Sequence, residues 1–327
     1  MSSHVCAAVV TYERKQLLVE CLSALLAQTH PVMRTFVVDN ASADGTEELL
    51  RARGFLDRAD VEYVRLPENV GGAGGFAKAV ELTRAADADW IWLMDDDSEP
   101  QPDALERLLG APPAADPATV ALCPKVVYAS GDIDANQRGH FRRRLRPLPA
   151  AEYRDGHYVA LGFLSFVGAL IRAEAARRVD PPRADFFVWG DDVEYSFRLR
   201  RLGSLRLVND SVFIHKRVTH SYDNARSRFW NRILPGHFWP TPPERFWQNL
   251  CGLRNYIWTK REYERQGTLS AVGTTAQFVF KALLYDERPL WRIPWIVRFA
   301  RQGRSGRFRT IPPARWAQLV RGEKTPK

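Results

Sequence analysis

The chain has 327 residues, 45% of them hydrophobic and 26% charged, with a formal net charge of +9. That length accommodates a full catalytic domain and a smaller appendage, and the balance of apolar and charged residues excludes an intrinsically disordered chain. The four cysteines (Cys6, Cys21, Cys123, Cys251) are scattered without a CxxC pair, which argues against a zinc site or disulfide framework and suits a reducing cytosol.

Residues 4–11 (HVCAAVVT) predict a buried strand, and Leu17, Leu18, Cys21, Leu22, Leu25 and Leu26 then recur at helical spacing. A strand over 35–38 runs into Asp39, Asn40, Ala41 and Ser42. A helix over 46–53 and a strand over 61–66 follow, then the loop 69–75 with Gly71, Gly72, Gly74 and Gly75, a helix over 76–86 and a strand over 90–94. Strand and helix alternating with short connections predict an α/β fold, a mostly parallel sheet with helices on both faces. Ligands of such sheets bind beyond the carboxyl ends of the strands, and Thr11, Asp39, Asn69 and Asp95 all fall at or just past those ends.

Further on, the pattern predicts a helix over 103–109 and a strand over 119–128. Next comes a polar, basic excursion of weak local preference over 131–155, which includes Arg142, Arg143, Arg144 and Arg146. A strand over 163–172 and a short helix over 174–178 precede Asp191, Asp192 and Glu194, which open a helix reaching Leu202. Acids in its first turn and Arg198, Arg200 and Arg201 near its end suit the helix dipole. Strand pieces over 205–208 and 212–214 end at His215. Beyond Tyr222 the chain is rich in Trp, Phe, Pro and Arg, with helices predicted over 244–264, 269–285 and 290–301. The division expected is a catalytic domain over 1–225 and a helical, basic and aromatic region over 226–327.

The chemistry concentrates at Asp95-Asp96-Asp97, where an apolar run ends in three consecutive carboxylates. Adjacent acids repel one another, so a positive group is expected among them, and a hard divalent cation with oxygen ligands is the natural candidate. A second acidic cluster at Asp191, Asp192 and Glu194, with His215 at a strand end, fits one oxygen-rich metal site plus a general base. The glycine loop lets backbone approach a ligand, and the helix after it offers free N–H groups. Neither a Walker A sequence nor a clean GxGxxG is present, which disfavours an ATPase or a dinucleotide enzyme.

Five motifs in order then carry a resemblance: Val9-Val10-Thr11-Tyr12, Val37-Val38-Asp39-Asn40-Ala41-Ser42, Glu68-Asn69-Val70-Gly71-Gly72-Ala73-Gly74-Gly75-Phe76, Leu93-Met94-Asp95-Asp96-Asp97 and Trp189-Gly190-Asp191-Asp192-Val193-Glu194. Over residues 4–220 the chain resembles family 2 glycosyltransferases of the GT-A fold. Within them it is most similar to actinobacterial galactofuranosyltransferases acting on polyprenyl-diphosphate-linked acceptors. Leu253-Arg254-Asn255-Tyr256 extends the likeness more loosely.

The resemblance implies a Rossmann-like GT-A domain and inverting transfer of a sugar, first of all galactofuranose from UDP-galactofuranose, to a glycan or lipid-linked hydroxyl. It assigns Thr11, Asp39, Asn69, Gly72, Gly74, Asp95 and Asp96 to the nucleotide-sugar donor, with Asp39 on the uracil edge. It assigns Asp97, Asp95 and His215 to Mn²⁺ or Mg²⁺, Asp192 to the general base, and Trp189, Asp191 and Glu194 to the acceptor. The sequence departs from the family at Glu13, where Asn is common, and at Ala77-Lys78-Ala79, both at the donor side. A rhamnosyltransferase using dTDP-rhamnose and a non-catalytic nucleotide-sugar or lipid-binding scaffold are the alternatives.

No stretch reaches the ~20 apolar residues of a membrane span, and the start of the chain does not read as a secretory signal. Residues 281–327 carry 12 basic and 3 acidic residues, while the other 280 balance at 35 of each. Trp291, Ile293, Trp295, Ile296, Val297 and Phe299 interleave there with Arg292, Arg298 and Arg301. That composition suits an interfacial segment drawn to anionic lipid. The expectation is a cytoplasmic enzyme, peripheral at the inner face of the cell membrane through residues 286–327, with no nucleic-acid partner.

Overall fold

The computed structural model describes residues 3–142, 144–216, 224–233, 239–265 and 267–322. The chain divides into two units, residues 1–184 with 191–217, and residues 185–190 with 218–327. The second unit therefore includes a six-residue segment just before Asp191, which the expected cut at 225 does not anticipate.

In the first unit, β1 (Val5–Thr11), β2 (Arg34–Asp39), β3 (Val61–Arg65) and β4 (Trp90–Asp95) are parallel and alternate with α1 (Lys15–Leu26), α2 (Thr46–Ala52) and α3 (Gly71–Ala85). The chain continues through β5 (Ser98–Pro100), α4 (Ala104–Gly110), α5 (Pro112–Ala115) and β6 (Thr119–Tyr128). Then come β7 (Arg138–Arg142), β8 (Arg144–Pro147), β9 (Tyr158–Leu161), β10 (Phe163–Leu164), β11 (Ala169–Arg172), α6 (Ala173–Arg178), α7 (Asp191–Leu199) and β12 (Ser204–His215). The main sheet has nine strands, in the order β3-β2-β1-β4-β11-β6-β12-β5 with β9 also on β12. It is mostly parallel; β11, β5 and β9 run antiparallel to their neighbours.

Alternation along the strands sends successive side chains to opposite faces. Ala8, Val10, Ile91 and Leu93 pack under α3, α6 and α7, against Phe76, Val80, Ala176 and Leu199. Val9, Val37, Trp92 and Met94 pack under α1, α2 and α4, against Leu18, Leu22, Leu50 and Leu108. Both faces of the sheet are thus covered by helices.

Three local expectations change. The glycines at 71–75 are not a loop before a helix but the first turns of α3. A Cβ on Gly75 would lie 2.5 Å from Val10 Cγ1, so glycine is what lets this helix press onto β1. The strand expected over 163–172 breaks into β10 and β11 around Gly168, which has φ +75°. The polar excursion folds into the hairpin β7–β8, paired with β10. Its anchor is Arg138, fully buried, whose guanidinium donates to the carbonyls of Pro124, Gln137 and Val167 and to Ser165 Oγ. Arg143 and the side chains of Arg142 and Arg144 lie outside the described residues.

The second unit comprises α8 (Ala225–Ile233), α9 (Phe246–Glu264), α10 (Thr268–Leu284), α11 (Pro289–Ser305) and α12 (Pro313–Arg321). Its core joins Leu250, Leu253, Ile257, Ile296, Phe299 and Trp316, with Trp291 and Trp295 packed against Trp316. Several aromatic and aliphatic residues expected to face lipid are therefore core. The exposed apolar face is instead on α10, where Leu269, Val272, Phe280 and Leu283 fall at helical spacing on its solvent side. No helix among the described residues is long and apolar enough to cross a membrane.

Candidate active site

Strand register gathers the polar residues at one end of the sheet. Thr11 lies beside Asp39, and Val10 beside Asp95. The chain turns after Asp95 and returns as β5, whose Ser98 pairs antiparallel with His215; the Lys216 amide donates to the Asp97 carbonyl at 2.7 Å. That pairing brings His215 against the acidic turn from more than a hundred residues away.

Two positive groups stand among the three carboxylates. Arg14 Nη1 bridges Asp96 Oδ1 (3.1 Å) and Asp97 Oδ2 (2.8 Å). His215 Nε2 lies 3.5 Å from Asp97 Oδ1, and its Nδ1 is 2.8 Å from Asp134 Oδ2. Burial favours the neutral forms of both His215 and Asp97, but charge and hydrogen bonding outweigh it. The imidazole is raised to about 9 by Asp134 and Asp97, while Asp97 is held below the ordinary carboxylate range by His215 and Arg14. Asp134 is lowered to about 2: burial opposes ionisation, and bonds from His215, Gln137 and Tyr128 win. Asp95 lacks such support; burial first, then the charges of Asp97 and Asp96, push it up to about 8.

Asp96 is better fixed than its neighbours. Besides Arg14 it accepts from Thr11 Oγ1 at 2.8 Å and from the Tyr12 amide at 3.3 Å. Burial nevertheless pushes it to about 6, against the pull of Arg14. Thr11, buried, thus spends its hydroxyl on this turn. Asp39 is fully buried: Oδ1 accepts from Ser42 N (2.9 Å) and Ser42 Oγ (2.6 Å), and Oδ2 from the Tyr63 hydroxyl. Asn69 Oδ1 accepts from the Gly71 amide at 2.8 Å, starting α3. Gly72 faces open space, whereas a Cβ on Gly74 would strike Val70. Glu13 bridges two loops, its carboxylate accepting from the Ala43 amide at 2.8 Å.

The second acidic cluster opens α7. Asp191 is raised well above the ordinary range, by burial first and then by the nearby charges of Asp192 and Asp95. Asp192 is raised to about 6 by burial, partly relieved by the Val193 amide and by the buried Arg138. Glu194, expected at the acceptor, is spent elsewhere: it is buried, and both of its oxygens accept from Arg198, which in turn holds the carbonyls of Asp180 and Pro181.

The segment preceding α7 belongs to the second unit. Phe187, Trp189 and Gly190 all have positive φ (64°, 63° and 90°), strained for the two aromatic residues. Asn255 Nδ2, fully buried on α9, donates to the carbonyls of Phe186 (3.0 Å), Val188 (3.0 Å) and Trp189 (2.8 Å). Arg254 adds the carbonyls of Asp185 and Phe186. Trp189 is left 44% exposed. Asn255→Leu, similar in size but without the donors, is expected to lower stability by about 2–4 kcal/mol through the unpaired carbonyls; an unchanged urea midpoint contradicts this.

The fit of a divalent cation follows from the donor set. Asp97 and His215 face one another with a carboxylate oxygen and an imidazole nitrogen, and Asp134 fixes the ring as a supporting carboxylate does around metal-bound histidines. Asp95 does not complete the set: among the described residues no three His, Cys, Asp or Glu side chains converge as a metal-holding group. Arg14 and His215 are the positive groups that stand beside these carboxylates.

A doubly covered, mostly parallel sheet takes its ligand past the carboxyl ends of its strands, where Asp95, Asp96 and Asp97 stand. The glycosyl transferase family 2 model matches residues 6–180, and the chain belongs to that family; it is a glycosyltransferase. It is 35% identical over 317 residues to "Galactofuranosyltransferase GlfT1" of Mycobacterium tuberculosis, covering 94% of this chain and 98% of that protein. The Mycolicibacterium smegmatis protein of the same name is 34% identical over 209 residues, covering 61% of this chain and 66% of that one. The fold is similar to that of GalNAc-T7 with UDP, GalNAc and Mn²⁺, at a TM-score of 0.61 and 14% identity over 97% of this chain and 57% of that one. It is also similar to that of Staphylococcus aureus TarS with UDP-GlcNAc, at 0.54 and 12% identity over 98% and 92%. Both likenesses establish the GT-A fold.

Proposed function

We propose that the chain is a metal-dependent, inverting galactofuranosyltransferase that uses UDP-galactofuranose and a glycan or lipid-linked acceptor hydroxyl. The observation that carries the reading is the acidic turn itself: Asp95, Asp96 and Asp97 follow β4 past the carboxyl end of the parallel strands, and Asp97 meets both Arg14 and His215. The mycobacterial relatives, by their names, support the sugar.

Asp192 takes the proton of the acceptor hydroxyl. That oxygen bonds to the anomeric carbon as the bond from that carbon to the UDP oxygen breaks, giving a glycoside of inverted configuration and free UDP. Asp97 and His215, with Asp95 nearby, would hold Mn²⁺ or Mg²⁺, which when bound neutralises a diphosphate leaving group. Arg14 and Asp134 keep Asp97 and His215 turned towards each other. Thr11, Asp39 and Asn69 act through the backbone they fix, Thr11 on the acidic turn, Asp39 on the 39–42 turn and Asn69 at the start of α3. Gly72 offers open backbone to the donor. Asp191 serves the acceptor, and Glu194 braces α7.

The test is the pH dependence of UDP release from UDP-galactofuranose at saturating metal. A base must be ionised to act, and Asp192 is raised to about 6. Activity is therefore expected above that pH, with kcat/KM falling about tenfold per unit below it. A profile flat across pH 6 contradicts the assignment of Asp192.

Peripheral membrane contact is proposed through the second unit, with the exposed apolar stripe of α10 in place of the buried part of α11. Its occupant is an anionic lipid surface, because residues 281–327, which begin in the last turn of α10, carry the chain's whole excess of positive charge. Val272→Glu with Phe280→Glu is expected to abolish flotation with anionic vesicles; full retention contradicts this.

A further inference from the structure

A cavity of about 190 Å³ in the second unit lies where α9 ends and α10 begins, lined by Lys260, Arg261, Thr268, Ser270 and Arg304 among others. We propose that this cavity is a phosphate-binding site, separate from the acidic site of the first unit, for a phosphate or diphosphate group.

Three independent features point to such a ligand. First, α10 is a 17-residue helix whose N-cap, Gly267, has no side chain to satisfy the first-turn amides. Such an end carries partial positive charge and exposed N–H donors. Second, Lys260 is only 8% exposed, yet its ammonium has no hydrogen-bond acceptor or paired carboxylate among the described residues. Its recorded contact is the Tyr256 ring, 5.0 Å away. Burial lowers its pKa, and Glu264 only partly opposes this. Third, two guanidinium groups flank it. Arg304 Nη2 donates to Thr268 Oγ1 at 3.3 Å and Arg261 Nη1 to the Arg304 carbonyl. The acid recorded beside Arg261 is Glu262, 3.9 Å away.

Three cations, two hydroxyls and a helix N-terminus match a tetrahedral anion carrying more than one charge. Ile257 and Ala271 contribute apolar wall, and Leu269, in the first turn of α10, is 87% exposed. The same phosphate chemistry is therefore available from a soluble diphosphate or from a lipid headgroup, and the test separates these sources. The inference stands whether or not the sugar is galactofuranose.

The full chain is titrated calorimetrically with inorganic pyrophosphate in EDTA, which silences metal-dependent binding at the acidic site. It is also floated with phosphatidylcholine vesicles with and without phosphatidic acid. Lys260→Met, which keeps the buried volume, and Arg304→Gln, at an exposed position, are run beside the wild type. Pyrophosphate binding weakened about tenfold or more in either variant identifies a soluble anion site. Flotation that requires phosphatidic acid and is lost in either variant identifies a lipid phosphate site. Wild-type chain that binds neither probe, or binding that stays within about twofold in both variants, overturns the proposal. UDP binding with Mn²⁺ is measured in the same variants and is expected to be unchanged, which separates failure here from failure of the donor site.

Discussion

Asp192→Asn is expected to lower kcat by about 10²–10⁴-fold, the usual worth of a positioned general base, while UDP binding with Mn²⁺ stays within about twofold. The substitution keeps the size of the side chain and an oxygen to accept from the Val193 amide, which bonds Asp192 Oδ1 at 2.7 Å. What it removes is the site that takes the acceptor proton. The loss should therefore fall on kcat rather than on donor affinity, and the drop in activity below pH 6 should vanish with it. Turnover equal to wild type would falsify the base assignment. A loss confined to donor KM would instead relocate Asp192 to donor binding.

Asp97→Asn is expected to act on the other side of the reaction, by reducing Mn²⁺-dependent UDP binding and lowering turnover by about 10²–10³-fold. Asp97 is the carboxylate that meets both His215 and Arg14. Neutralising it removes the anionic donor facing the imidazole and leaves Arg14 with Asp96 as its recorded carboxylate partner. A cation that takes the His215 ring nitrogen must also displace a proton held up to about pH 9, so metal binding is linked to proton release. Calorimetry of UDP with and without Mn²⁺ reads the effect; equal affinity in both conditions for wild type and variant contradicts a metal role at Asp97.

The sheet was legible in the sequence because its strands are short apolar runs closed by polar turns. Residues 5–11, 34–39 and 90–95 show this plainly, and α1 repeats its apolar residues at helical spacing. The Asp95-Asp96-Asp97 turn stood out for the same local reason. Its partners did not. Arg14 is one cation among many until the β1–α1 turn brings it to Asp96 and Asp97. Asp134 lies in a polar stretch without periodicity, and its role appears only when the end of β6 and β12 places it on His215.

Other side chains take internal partners that the sequence does not show. Glu194 sits beside Asp192 in the motif, but helical geometry turns it to Arg198 one turn on. The aromatic residues of α11 have the composition of a lipid-facing segment, yet α9 and α12 supply partners that bury many of them, and the exposed stripe falls on the less basic α10. Composition does not say which side chains of such a segment are buried, since a face is set by packing. The strained turn before Asp191 was invisible for a similar reason: the donors that hold it, Arg254 and Asn255, lie some 65–70 residues away.

The most direct test of the account is UDP release from UDP-galactofuranose by wild type and Asp192→Asn, each with Mn²⁺ and with EDTA, in the presence of a lipid-linked glycan acceptor. Release by wild type is expected to require both metal and acceptor, with an inverted linkage in the product, and to be at least about a hundredfold slower in the variant. Equal release by both proteins, or metal-independent release by wild type, contradicts it.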